Sequence, residues 1–87
     1  MTWTIEFTKI SQEDARKIAE IGLKPKVERL LEILETDPYQ SPPPCKRLSG
    51  DLAGYYSRRI SIKHRLVYEV IERERTVKVL RMWSHYE

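Results

Sequence analysis

Asp37-Pro38, followed by Pro42-Pro43-Pro44, divides the chain more sharply than any other feature. Proline offers no backbone N–H and fixes φ, so such a run fits neither a helix interior nor a central strand. Asp37 to Pro44 therefore reads as an extended connector without regular structure. The two sides of it differ in hydrophobic period. Before it, Thr2–Thr8 alternates, with Trp3, Ile5 and Phe7 on one side, as in a half-buried strand. Ser11 then offers an N-cap, and Gln12, Glu13 and Asp14 suit the positive end of a helix. Ala15, Ile18, Ala19 and Ile21 form its narrow apolar stripe, and Gly22 suits its end. A second helix starts near Lys24 with Pro25 in its first turn. Val27, Leu30, Leu31 and Leu34 give it the clearest 3.6-residue period in the chain.

After the prolines the pattern is that of strands. A short one passes through Arg47–Leu48, and Ser49-Gly50-Asp51 and Ala53-Gly54 read as turns. Tyr55–Ile62, Leu66–Ile71 and Thr76–Trp83 follow, with Glu72–Arg75 as a charged turn. In Tyr55–Ile62, Tyr56, Ile60 and Ile62 take one side and Tyr55, Ser57, Arg59 and Ser61 the other. The order β, α, α, then three or four β predicts an α+β fold of two layers. An antiparallel sheet carries the N-terminal helical hairpin on one face.

A chain of 87 residues is expected to form a single domain over 1–87, with one modest core. It has no apolar run near the ~20 residues of a membrane span and no secretory pattern, so no membrane role is expected and the cytoplasm is the expected location. The lone Cys45 makes neither an intrachain disulfide nor a cysteine zinc site. Charge is unevenly spread. Residues 1–44 hold six Lys/Arg against eight Asp/Glu, and residues 45–87 hold ten against five, for a net +3. A basic C-terminal half suits an anionic partner such as nucleic acid, although on charge alone a solvated surface with local pairs is the simpler account.

Phosphate loops, nucleophile elbows and His-pair metal spacings are absent, and carboxylates in the basic half are scattered. Neither a metal nor a cofactor is expected. Three groupings remain. In Ser57-Arg58-Arg59-Ile60 and Lys63-His64-Arg65-Leu66-Val67-Tyr68, a hairpin turn at Ser61–His64 would set Arg59 beside Arg65. Paired guanidinium groups suit a phosphate, while ordinary cross-strand surface charge explains them equally simply. Trp83-Ser84-His85-Tyr86-Glu87 offers an acid/base group and an aromatic platform, or merely an edge-strand tail. Cys45-Lys46-Arg47 is either a basic arm touching a nucleic-acid backbone or a solvated loop. Trp3, Tyr55, Tyr56 and Trp83 suit a core or a dimer interface, and periodicity does not separate the two.

Gly54-Tyr55-Tyr56-Ser57-Arg58-Arg59-Ile60, His64-Arg65-Leu66-Val67-Tyr68 and the terminal His85-Tyr86 together resemble the YoeB/Txe toxins of the RelE superfamily, with the helix pair and connector matching in order and length. The resemblance implies a RelE-like α+β fold and an mRNA interferase that cuts mRNA in the ribosomal A site. It also implies a YefM/Phd-type antitoxin as partner, a possible homodimer, and contact with DNA only through the antitoxin. By the same resemblance His85 would be the general acid. Arg65 would stabilise the transition-state phosphate, Arg59 would assist it or position the backbone, and Tyr86 would stack on or orient the scissile nucleotide. Lys46, Arg47 and Lys63 would add phosphate and RNA contacts.

Two positions depart from the family pattern. Where an acidic general base is expected, two residues before Leu48, this chain has Lys46. A lysine at its ordinary pKa, about 10.4, holds its proton at pH 7. Three accounts compete: crowding by Arg47, Arg59 and Arg65 displaces that proton, another group (a ribosomal one included) serves as base, or the chain is a weakened or inactive module that still binds antitoxin and ribosome. Ser49 stands where related toxins carry a further basic residue, which would lower RNA affinity. A protein that binds DNA directly is disfavoured, because no helix-turn-helix signal is present and the basic residues fall on strands and loops.

Overall fold

The computed structural model describes residues 2–84, with the side chain of Ser84 left aside. The elements run β1 (Thr4–Phe7), α1 (Lys9–Glu20), α2 (Lys24–Thr36), β2 (Lys46–Arg47), β3 (Tyr55–Arg59), β4 (Arg65–Ile71) and β5 (Thr76–Ser84), with 3₁₀ turns at Gly50–Leu52 and Glu72–Glu74. The sheet order is β1-β5-β4-β3-β2. Strands β2 to β5 pair antiparallel as predicted. β1 instead joins the outer edge of β5 in parallel, from Thr4 opposite Thr76 to Phe7 opposite Val79. Sheet and helices make the predicted two layers. The sheet is mixed because the helix pair carries the chain from β1 across one face, and β5 later returns beside β1 in the same direction.

Helix α1 starts earlier than predicted. Thr8, not Ser11, is its N-cap: Thr8 Oγ1 accepts from the Ser11 amide at 3.1 Å, and Ser11 Oγ donates to the Thr8 carbonyl at 2.9 Å. Thr8 Oγ1 also donates to the Leu80 carbonyl on β5 at 3.1 Å, so the helix begins where the chain leaves the sheet. At its end, Gly22 takes φ +80°. Its amide bonds the Ala19 carbonyl and the Leu23 amide bonds that of Ile18, the paired cap that a left-handed residue permits. Pro25 sits in the first turn of α2, and Pro38 follows its end.

The core lies between the layers. Ile18, Val27, Leu30 and Leu34 from the helices meet Trp3, Leu66, Tyr68, Val77, Val79 and Met82. Full burial of a side chain such as Leu34 or Leu66 contributes roughly 1.5–3 kcal/mol. Ala19 and Ile21 stay outside, so the apolar stripe of α1 is narrower than its sequence suggests. Trp3 is in the core, Tyr56 stacks on Tyr68 at 5.7 Å, and Trp83 stacks on His64 at 4.2 Å. β3 ends at Arg59 rather than Ile62. The turn that follows breaks the alternation, burying Ile60 and leaving Ile62 75% exposed.

The connector after α2 is not a loose linker. Arg58, only 1% exposed, reaches it from β3. Its Nη1 donates to the Pro43 carbonyl at 2.8 Å and its Nη2 to the Pro38 carbonyl at 3.1 Å. The Tyr68 hydroxyl adds a bond to the same Pro38 carbonyl at 2.7 Å. Prolines cannot donate, but their carbonyls accept, and a planar guanidinium can bridge two of them.

Candidate phosphate-binding site

The turn between β3 and β4 builds the site. Ile60 and Ser61 amides both donate to the His64 carbonyl, at 3.0 and 3.1 Å, while Ser61 Oγ accepts from the Lys63 and His64 amides. This closes the hairpin where the sequence predicted it and makes Arg59 and Arg65 register partners. Arg65 is itself held by the turn. Its Nη1 donates to the carbonyls of Ser61, Ile62 and His64 at 2.7, 3.2 and 3.3 Å. The side chain is 9% exposed, so its direction is fixed by packing as well as by these bonds.

β2 adds the third cation. Lys46 pairs with Ser57, two residues before Arg59, so the period of two brings Lys46, Ser57 and Arg59 to one face. Pro44, Lys46, Ser57, Arg59 and Arg65 line one open concavity of about 380 Å³. None of these lining residues is acidic. No carboxylate among the described residues engages Lys46 or Arg59, and both are exposed. Three positive charges around one basin make it chemically suited to an anion such as a phosphate, whose oxygens planar guanidinium groups fit.

Other residues singled out in the sequence go elsewhere. Arg47 pairs with Tyr56, on the opposite face from Lys46, and its guanidinium carbon lies 5.9 Å from the centre of the Tyr56 ring. A hydrogen bond to Tyr56 raises the pKa of Arg47. The predicted basic arm is therefore split between two faces, because adjacent residues of a strand point apart. Lys63 belongs to the turn and lines a different hollow, with Leu23, Ile62 and His64. Cys45 is turned inward, with Sγ 3.2 Å from the Tyr68 hydroxyl. Burial and the Cys45 contact push the Tyr68 pKa well up, which keeps its hydroxyl a donor to Pro38. His85 and Tyr86 lie outside the described residues. β5 runs to Ser84, the register partner of Arg65.

Two residues have places that the sequence did not assign to them. Ser57 is 3% exposed at the floor of the basin, and nothing in a lone serine marks it. Asp14, expected as a helix-terminus acid, is buried against β5. Its Oδ2 accepts from Arg81 Nε at 2.9 Å and from the Met82 and Trp83 amides at 3.0 and 3.3 Å. Burial acts to raise its pKa, but the bonds from Arg81 and the two amides outweigh it, and the carboxyl is held below the usual range. This clamp fixes the β5 segment that leads to the chain's last residues. Among the described residues, no group of three His, Cys, Asp or Glu side chains is placed to hold a metal ion, and no helix is long and apolar enough to cross a membrane.

Comparison with known proteins agrees with this architecture. Residues 6–86 match the family model described as YoeB-like toxin of bacterial type II toxin-antitoxin system. The Toxin YoeB of Streptomyces coelicolor is 40% identical over 67 residues, covering 75% of this chain and 80% of its own length. The YoeB/ParE toxin from Agrobacterium tumefaciens superposes with a TM-score of 0.86 at 28% identity, covering 95% of this chain and 99% of that one. Staphylococcus aureus YoeB, solved in a heterotetrameric complex with YefM and as a dimer, gives TM-scores of 0.81 and 0.82 at 29% identity. Coverage is 97% of this chain and 98% of that one.

Proposed function

The chain belongs to the YoeB family of toxins of bacterial type II toxin–antitoxin systems, and from that premise we propose that it is an endoribonuclease that cuts mRNA in the ribosomal A site. The observation that carries the proposal is the basin that Lys46, Arg59 and Arg65 line together, with no acidic residue among its described lining. In metal-independent cleavage the ribose 2′-oxygen loses its proton and attacks the adjacent phosphorus. The bond to the 5′-oxygen breaks, that oxygen takes up a proton, and a 2′,3′-cyclic phosphate remains. Charge builds on the non-bridging oxygens, where preoriented cations lower the barrier most. Arg65, braced by three carbonyls, is the stabiliser of that charge, and Arg59 holds or positions the same phosphate. His85 donates the proton to the leaving oxygen, a role suited to an imidazole near neutral pH. Tyr86 stacks on or orients the scissile nucleotide.

Lys46 occupies the place of the general base and lines the basin as a cation. In this reading it binds phosphate, proton removal falls to a group outside the basin such as one of the ribosome, and the activity is retained but reduced. The same observation favours a second reading, a binding module that engages antitoxin and ribosome without cutting. A YefM/Phd-type antitoxin is the proposed partner, as in the S. aureus complex, and a homodimer is proposed by analogy with the dimer of that toxin. The protein would act in the cytoplasm, where translated mRNA is found.

The test is expression from a tight promoter with 5′ ends mapped on a translated reporter mRNA, beside His85→Ala and Arg65→Ala. Cuts that require translation and vanish in both variants support the nuclease. Folded protein that arrests growth without cuts supports the binding module.

A further inference from the structure

Arg59 lines two concavities. One is the basin on the open sheet face. The other, of about 450 Å³, lies on the far side of Arg59 and is walled by Lys26 and Arg29 of α2, with Leu30, Ile33 and Ile62 among its apolar surfaces. None of its lining residues is acidic, and Lys26, Arg29 and Arg59 are all exposed. Glu28, Glu32 and Glu35 of the same helix line a different hollow, beside Ile5 and Phe7 on the β1 side, and Lys24 shares a third with Glu28.

We propose that Lys26 and Arg29 extend the basin into a continuous track for single-stranded RNA, holding nucleotides that flank the phosphate bound between Arg59 and Arg65. The inference rests on the nuclease reading for the identity of the strand. A strand leaving the basin past Arg59 enters a groove whose rim offers two more cations for phosphates. Its apolar surfaces, with Ile62 75% exposed, take ribose and base faces. These contacts carry no donor–acceptor code, so the track adds affinity and direction rather than sequence preference.

The test measures binding apart from cleavage, with fluorescent 2′-O-methyl RNA oligomers that lack the attacking hydroxyl. The intact protein is expected to bind a nine-nucleotide oligomer at least about tenfold more tightly than a three-nucleotide one. In Lys26→Ala/Arg29→Ala that gain should disappear while affinity for the short oligomer stays the same. The salt dependence for the long oligomer should weaken by about 1.4 in log–log slope, roughly 0.7 for each lost phosphate contact. A gain and slope retained by the variant, or no length-dependent gain in the intact protein, would overturn the track. So would an unchanged RNA gain with lost affinity for a poly-glutamate peptide, which would give the groove to an acidic polypeptide instead. Reporter cleavage by Arg65→Ala keeps the two ideas apart. Cleavage that survives Arg65→Ala sinks the nuclease assignment of the basin, whereas the oligomer data judge the track by binding alone.

Discussion

The guanidinium of Arg58 meets the hydroxyl of Tyr68 at 3.2 Å inside the interlayer core, and both groups are fully enclosed. Each also bonds the Pro38 carbonyl, and Arg58 reaches on to that of Pro43. Two polar side chains thus fasten the proline connector to the sheet, one residue before Pro44 enters the lining of the basin. Arg58 and Arg59 are neighbours in sequence with opposite duties, because one is buried under the proline connector and the other is exposed at the basin.

Arg58→Met is expected to destabilise the fold by about 3 kcal/mol, since it strands the Pro43 carbonyl and leaves the Pro38 carbonyl and the Tyr68 hydroxyl with their bond to each other but without the guanidinium. For a chain of this size that corresponds to a fall in Tm of about 15 °C. Arg58→Lys should recover little, because one ammonium cannot span both carbonyls. Thermal unfolding followed by circular dichroism checks this. A Tm within about 3 °C of the parent would show that the connector is held by other contacts.

Asp14 gives the stability a specific dependence on acid. Its folded pKa lies below its ordinary value, near 3.8, so it stabilises the fold above that pH. That stability is lost as pH falls through the folded value. Asp14→Asn should therefore lower stability by about 1–2 kcal/mol at pH 7, where the charge-assisted bonds are intact. The gap to the parent should narrow in urea titrations below pH 3.8. A gap of the same size at both pH values would assign the effect to packing rather than to the carboxylate.

Lys46→Glu is expected to raise reporter cleavage by tenfold or more, because a positioned general base contributes about 10²–10⁴. Lys46 is exposed, so unfolding midpoints should shift by no more than about 0.5 kcal/mol. Unchanged cleavage would mean that proton removal does not limit the enzyme.

Arg65→Lys tests the brace. A lysine retains the charge but cannot reach three turn carbonyls while facing a phosphate, so cleavage should fall about 10²-fold with RNA affinity little changed. Arg59→Ala should instead weaken binding and lessen its salt dependence. Equal effects of both substitutions on binding would dissolve the division of roles.

Sequence alone determined the local elements, because their causes are local. The 3.6-residue apolar period of α2, Gly22 after α1, the turn before Arg65 and the strand alternation each act over a few residues. It also carried the family resemblance and the pairing of Arg59 with Arg65. The tertiary structure decided what depends on residues far apart in the chain. β1 pairs parallel to β5, Thr8 rather than Ser11 caps α1 because Leu80 fixes it, and Asp14 is drawn under β5. Arg58 is buried although arginine is ordinarily exposed, because the two carbonyls that satisfy it lie 15 and 20 residues away in the connector. Likewise, Lys46 and Arg47 are equivalent in the sequence, and only the register of β2 on β3 sends one to the basin and the other to Tyr56. Local chemistry is written in neighbouring residues, whereas burial and convergence depend on which distant segments share a surface.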